Sequence, residues 1–203
     1  MIAALYVQER GVYARRADVD PWPEARDARA YPGPHPVVAH PECAAWGRYA
    51  RRTPESRARG PMLGDDAGCF AAALAAVRRF GGVLEHPAAS KAWPAHDIPA
   101  PPPAGWAPVE AWPRAYVCAV EQGHYGHAAR KPTWLLYVGP PPPPLRWGAS
   151  VVAPRAAPSR IRGILERMSH RQRKATPAPF AELLIELAAR NHSDDDNGDE
   201  LPG

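Results

Sequence analysis

The stretch Pro36-Val37-Val38-Ala39-His40-Pro41-Glu42-Cys43-Ala44-Ala45-Trp46-Gly47 passes from a short apolar run directly into a proline turn that carries a cysteine. An apolar run of this kind is consistent with a strand buried on both faces in a parallel sheet. Pro41 fixes the backbone just ahead of Cys43. In open α/β sheets ligands sit at the carboxyl ends of the strands, where Cys43 falls in this reading. Two further stretches follow the same logic: Gly82-Val83-Leu84-Glu85-His86-Pro87, a second strand end, and the polar cluster Gln122-Gly123-His124-Tyr125-Gly126-His127. Three such ends can converge on one pocket. Cys43 is then either a small inert core residue or a nucleophile, and the two companion clusters favour the second role as much as its residue type favours the first.

Outward from this centre, 203 residues suffice for one α/β domain with a tail, with residues 1–190 forming the domain and 191–203 a disordered acidic end. A hydrophobic content of 45% with seven Trp argues for a packed core, whereas 27 Pro require long, stiff connections that are neither helix interior nor central strand. The formal net charge is +4, but Asp194, Asp195, Asp196, Asp199 and Glu200 fall in the tail, which leaves +9 on the preceding body. Such a body suits a polyanion, since cations that neutralise phosphates release counterions. Arg48, Arg51 and Arg52 are the candidate contacts nearest the cysteine. Cys43, Cys69 and Cys118 make an odd count at no disulfide-like spacing, which reads as thiols in a reducing cytoplasm. No apolar run approaches the roughly 18 residues of a membrane span.

Along the chain, Ile2 to Val7 reads as a first strand, and Asp18-Val19-Asp20-Pro21-Trp22 as a turn. A helix is expected over Asp65 to Phe80, with the two aspartates at its positive end, Phe70, Leu74, Val77 and Phe80 at helical spacing, and Gly81-Gly82 to stop it. The strand through Val83 and Leu84 would complete a parallel crossover. Pro94 to Pro113 reads as connecting chain. Ala115 to Val120 and Thr133 to Val138 read as two more strands, joined by a long hairpin loop that reverses the last of them. Helices are expected over Ser159 to Met168 and over Pro179 to Arg190, the second amphipathic through Phe180, Leu183, Leu184 and Leu187. The fold class is therefore α/β: a mostly parallel doubly wound sheet of about five strands with one antiparallel strand.

The pair Cys43 and Glu85 suggests a specific chemistry. A thiolate adds to an electron-poor carbon, while a neighbouring carboxyl holds or protonates the ring nitrogen, a combination suited to a pyrimidine. Here the chain resembles the cytosine-C5 DNA methyltransferases. Ala39-His40-Pro41-Glu42-Cys43 is similar to that family's Pro-Cys nucleophile loop, with Glu42 where a proline usually stands. Arg79-Phe80-Gly81-Gly82-Val83-Leu84-Glu85-His86-Pro87 is similar to the strand ending in Glu-Asn-Val, and Tyr125-Gly126-His127-Ala128-Ala129-Arg130-Lys131-Pro132-Thr133 to the Tyr-Gly-Val-Pro-Gln-x-Arg-x-Arg segment. The resemblance implies a methyltransferase-like fold, Cys43 and Glu85 as catalytic residues, and S-adenosylmethionine as cofactor. It also implies Asp20 and Asp27 as cofactor contacts, and a nucleic acid, DNA, as partner, met by Tyr125 and Lys131 besides the arginines. The family's Gly-rich loop after the first strand is represented by Gly11 alone, which supports an alternative: a nucleic-acid-binding protein of the same fold without the chemistry.

Two other readings use the same residues. His40, Cys43, Glu85, His86, His124 and His127 offer zinc-type donors, but without paired Cys motifs, and no metal is expected. Trp46, Trp93 and Trp134 can stack on a base, although packing is the usual role of a tryptophan.

Overall fold

The computed structural model describes residues 1–47, 50, 61–151 and 175–192. The expected helix over Ser159 to Met168, the expected phosphate contacts Arg48, Arg51 and Arg52, and the tail from residue 193 lie outside the described residues. A seven-stranded sheet is formed by β1 (Ile2–Leu5), β2 (Val19–Trp22), β3 (Val37–Ala39), β4 (Gly82–Pro87), β5 (Trp106–Pro108), β6 (Ala115–Glu121) and β7 (Pro132–Val138). Its spatial order is β2-β1-β3-β4-β7-β6-β5. The helices are α1 (Cys69–Phe80), the single turn α2 (Ala92–Ala95) and α3 (Ala178–Ala189).

The four strands β2, β1, β3 and β4 are parallel neighbours, whereas β4 with β7, β7 with β6 and β6 with β5 pair antiparallel. The α/β class and the reversal of the last strand agree with the sequence. The expectation of a single antiparallel strand is corrected: β5 runs against its neighbour as well, so two strands are reversed. Both strands that the sequence reading missed, β2 and β5, lie at the edges of the sheet. Each contains a proline, Pro21 and Pro108, and only an edge strand tolerates the loss of a ladder N–H. Proline read as a breaker there marks an edge.

Period-two alternation divides the core into two layers. Ala3, Leu5, Val37, Ala39, Leu84 and Leu136 face α1 with Phe70, Ala73 and Val77; Ile2, Ala4, Val38, Val83 and Leu135 face α3 with Phe180, Leu184 and Leu187. Fully burying each of the larger of these side chains contributes about 1.5–3 kcal/mol. The start of α1 is fixed by Asp66, whose carboxylate accepts the N–H groups of Gly68 (3.0 Å) and Phe70 (2.8 Å) and the indole N–H of Trp46 (2.8 Å). Order continues beyond the expected limit at residue 190: Arg190–His192 is a 3₁₀ turn, with Asn191 Nδ2 donating to Ala188 O (3.2 Å) and the His192 ring 2.9 Å from Met1 O.

The topology brings distant segments to one edge. The carboxyl ends of β1, β2, β3 and β4 share it because these strands are parallel. The register Pro87↔Thr133 places the start of reversed β7 beside the end of β4, and Glu121↔Pro132 brings the end of β6 alongside. Residues 122–131 therefore reach the same edge as Cys43 and Glu85. Chain order reverses between β1 and β3, with β2 on one side of β1 and β3 on the other, which opens a crevice at such a switch point.

Gly82 admits the close approach of β4 to β3. Its φ is +116°, and an added Cβ would lie 2.0 Å from the carbonyl oxygen of Val37, a backbone atom that cannot swing away. Gly82→Ala is expected to destabilise the protein by about 3 kcal/mol or more, read as the urea midpoint at neutral pH. A change below about 0.5 kcal/mol would show that the β3–β4 register is not held this closely.

Candidate active site

A cleft of about 1660 Å³ opens at the switch point, lined by the segments that follow β1, β2, β3 and β4 and by Lys131. Cys43, Glu85, Asp27 and Lys131 all line it. Asp20 and Tyr125 do not belong to its lining. Asp20 lies within β2 and accepts hydrogen bonds from Trp22 Nε1 (2.8 Å) and Arg26 Nη1 (2.5 Å). Tyr125 packs on Phe180, with ring centroids 5.7 Å apart, and its hydroxyl accepts the N–H of Arg146 at 3.0 Å. Asp27 is engaged by Arg29 through Nε (2.7 Å) and Nη2 (2.8 Å) while it caps a 3₁₀ turn at Ala28–Ala30.

Glu85 is held at the cleft through both carboxylate oxygens. Its Oε2 lies 2.9 Å from His40 Nδ1, and its Oε1 accepts Gln122 Nε2 at 3.0 Å. The other His40 nitrogen, Nε2, is 2.8 Å from the hydroxyl of Tyr13, a buried residue in the loop after β1. Burial pushes the Glu85 carboxyl up, but the hydrogen bond from His40 and the charge of Lys131 oppose it, and the carboxyl is held below the usual glutamate range. Burial raises the Tyr13 phenol far above its ordinary value, and Glu85 adds to this, so Tyr13 keeps its proton. The His40 ring donates from Nδ1 to the carboxylate, and its Nε2 meets the Tyr13 hydroxyl.

The neighbours of this chain are also set. Gln122 Nε2 donates to Thr133 Oγ1 (3.0 Å), and the Thr133 hydroxyl donates to Lys131 O (3.1 Å). Both amide hydrogens of Gln122 are thereby used as donors. Burial drives Lys131 below the usual lysine range, and the charges of Glu85 and Cys43 oppose that shift. One Lys131 N–H is given to Ala175 O at 3.2 Å. His86, fully buried between Phe70 and Trp93, is held down to about 4 by burial and stays neutral.

Cys43 opens the 3₁₀ turn Ala44–Trp46 and is half-buried at the cleft wall. Cys69 is likewise half-buried and lines the same cleft, whereas Cys118 is enclosed. Burial raises Cys118 far above its ordinary value within the sheet core, and burial with Asp66 nearby raises Cys69.

Several expectations are redirected by these contacts. Trp46 and Trp93 are buried, Trp46 tied to Asp66 and Trp93 fully enclosed, so both belong to the core and have no face left for a base. His124 and His127 turn to backbone carbonyls, those of Gly148 (3.1 Å) and Ala129 (2.9 Å). No group of three or more His, Cys, Asp or Glu side chains among the described residues is arranged to hold a metal ion. No helix among the described residues is long and apolar enough to cross a membrane.

Tyr13 and Glu24 are cleft residues that sequence reasoning did not assign, and Gln122, named there only within a polar cluster, joins the network on Glu85. Glu24 follows the edge strand β2 and lines the cleft, a role hidden while β2 was read as a turn. Gln122 had a signal, since a polar residue directly after the buried run Ala115 to Glu121 marks a strand end. Tyr13 had none. No protein-family model, curated protein or solved structure matches this chain.

The differing environments of the three thiols make them separable in solution. Iodoacetamide at pH 7 is expected to alkylate Cys43 at least about ten times faster than Cys69 or Cys118, because reactivity follows thiolate fraction and access. Peptide mass mapping at short times reads the order. Equal rates at all three would return Cys43 to an inert role.

Proposed function

We propose that the protein is a cysteine-dependent enzyme that modifies a pyrimidine base of a nucleic acid. The carrying observation is the presence of Cys43, Glu85 and Lys131 on one cleft at the carboxyl edge of a parallel sheet. Addition of a thiolate to C6 of the ring saturates the C5–C6 bond and makes C5 nucleophilic. The reaction needs a group that grips the ring nitrogen and a cation for the charge that spreads to the exocyclic position. Glu85 and Lys131 supply these. Of the resemblance to the cytosine-C5 methyltransferases the arrangement keeps the cysteine and the carboxyl, and DNA is the nucleic acid which that resemblance implies.

S-adenosylmethionine is the cofactor we propose with this reading, and its fit rests on the lining of the cleft. Among the described residues seven carboxylate side chains and four cationic ones line it, a balance that suits a ligand with a sulfonium and an ammonium group. Glu24 and Asp27, in the turns after β2, are the residues to meet a ribose diol, and Asp20 is turned to Arg26 and Trp22 instead. When bound, the cofactor would supply an electrophilic methyl group. The segment Tyr6 to Gly11 supports a second reading. Tyr6 takes a positive φ of 60° where a glycine would be usual, and Gly11 closes onto Gln8 O at 3.0 Å, so no run of glycines lies there for close approach to a cofactor. A binding protein of the same fold is compatible with that segment.

A single-stranded oligodeoxynucleotide carrying a 2-pyrimidinone separates the two, because a ring without a 4-substituent accepts a thiolate at C6 readily. The enzyme reading predicts a complex that survives denaturation and is absent with Cys43→Ala. It also predicts a rise of several degrees in Tm with saturating S-adenosylmethionine. An adduct that persists in Cys43→Ala, or no adduct with a Tm that the cofactor leaves unchanged, would favour the binding protein.

A further inference from the structure

We infer that the base bound beside Cys43 is a 4-oxo pyrimidine with a hydrogen on N3, a uracil, and not cytosine. The inference deepens the proposed function and rests on it in one respect, that Cys43 adds to a pyrimidine.

The argument starts from the direction of each hydrogen bond on Glu85. Gln122 Nε2 donates to Oε1, and its second hydrogen is taken by Thr133 Oγ1, whose own hydrogen goes to Lys131 O. Turned round, the amide would set its oxygen against the Glu85 carboxylate and lose that bond. On the other side, Tyr13 keeps its proton and meets His40 Nε2, which leaves the Nδ1 hydrogen for Oε2. Among the described residues two donors and no acceptor therefore face Glu85. They favour the carboxylate over the acid, so the lone pairs left toward the cleft accept and do not donate.

Lys131 has the opposite character. Among the described residues its ammonium gives one hydrogen, to Ala175 O, and it interacts with the charges of both Glu85 and Cys43. The cleft thus sets an acceptor and a cationic donor beside the cysteine. With Glu85 at the ring nitrogen and Lys131 at the 4-position, as in the reading on which this inference rests, uracil presents N3–H, a donor, next to O4, an acceptor, and meets both. Cytosine presents the reverse, an acceptor at N3 next to a donor amino group at C4, and is mismatched at both. A site built to hydrogen-bond one pattern rejects the other because its polar groups are left unpaired.

The chemistry places charge on the same atoms. Cys43 Sγ donates an electron pair to C6 and an S–C6 bond forms. The C5=C6 π pair moves through C5 and C4 onto O4, where Lys131 stabilises the enolate, while N3–H stays bonded to Glu85. Water protonates C5, a base removes the hydrogen originally there, and loss of the thiolate restores the ring. The cycle exchanges the C5 hydrogen with solvent, and it consumes no oxidant, reductant or cofactor.

This exchange is the test. The full chain is incubated without cofactor with single-stranded oligodeoxynucleotides that carry 5-deuterated 2′-deoxyuridine or 5-deuterated 2′-deoxycytidine, and deuterium loss is followed by mass spectrometry. We expect loss from uracil at least about 100-fold faster than from cytosine, abolished in both by Cys43→Ser. We also expect the ratio to fall at least tenfold in Glu85→Gln, whose amide can offer a donor to cytosine N3. Exchange from cytosine at the same rate as uracil or faster, or a ratio unchanged in Glu85→Gln, would overturn the inference and leave the pyrimidine enzyme standing. Exchange from neither base overturns the inference too. If the 2-pyrimidinone adduct is also absent, the underlying reading fails with it.

Discussion

The 2.9 Å hydrogen bond between His40 Nδ1 and Glu85 Oε2 joins the ends of two neighbouring parallel strands, β3 and β4. Without it Glu85 would be a nearly buried carboxyl with one donor fewer, and burial alone pushes such a group toward its neutral form. Charge-assisted hydrogen bonds contribute about 1.5–3 kcal/mol each, and this one works against the burial. The same bond fixes His40, and with it the start of the short turn through Pro41 that ends at Cys43. Cys43 and Glu85 are thus set relative to each other by one contact.

What makes this contact possible is the arrangement of strands. Parallel pairing of β1, β3 and β4 puts His40 and Glu85 at the same edge, and the loop after β1 carries Tyr13 to the far nitrogen of His40. The antiparallel hairpin of β6 and β7 then delivers Gln122 and Lys131 from the opposite side of β4. A second staple holds this hairpin. Arg130 Nε lies 2.8 Å from both oxygens of Glu121, and Ser150 N and Oγ donate to Glu121 Oε2 at 2.7 and 2.9 Å. Arg130 and Ser150 bring the Glu121 carboxyl down to about 2, so the staple is charged throughout the neutral range and is lost only as pH falls from about 4.5 toward 2.

Much of this is legible in the chain because buried strands and amphipathic helices leave strong patterns. Val37 to Ala39, Val83 and Leu84, and the spacing of Phe70, Leu74 and Val77 locate β3, β4 and α1 from residue type alone. The positions of Cys43 and Glu85 at strand ends follow from these runs. The edge strands β2 and β5 were hidden by Pro21 and Pro108, since a proline is incompatible with a central strand but not with an edge. The core roles of Trp46 and Trp93 were hidden for another reason. Their residue type fits a base-binding surface equally well, and only contacts made by Asp66 and Phe70, far along the chain, decide between the two. The direction of the hydrogen bonds on Glu85 has no local signature at all, because it depends on Tyr13, His40, Gln122 and Thr133 from four separate segments.

The charged state of Glu85 is the point on which the account of the site turns, and infrared difference spectroscopy reads it directly. Spectra of the wild-type protein minus Glu85→Gln, recorded from pH 7 to pH 3, isolate this one carboxyl. The account predicts a carboxylate stretch at pH 7 that persists below the ordinary glutamate range, and a shift of its loss to higher pH in His40→Ala. A neutral carboxyl band for Glu85 at pH 7 in the wild-type protein would contradict it.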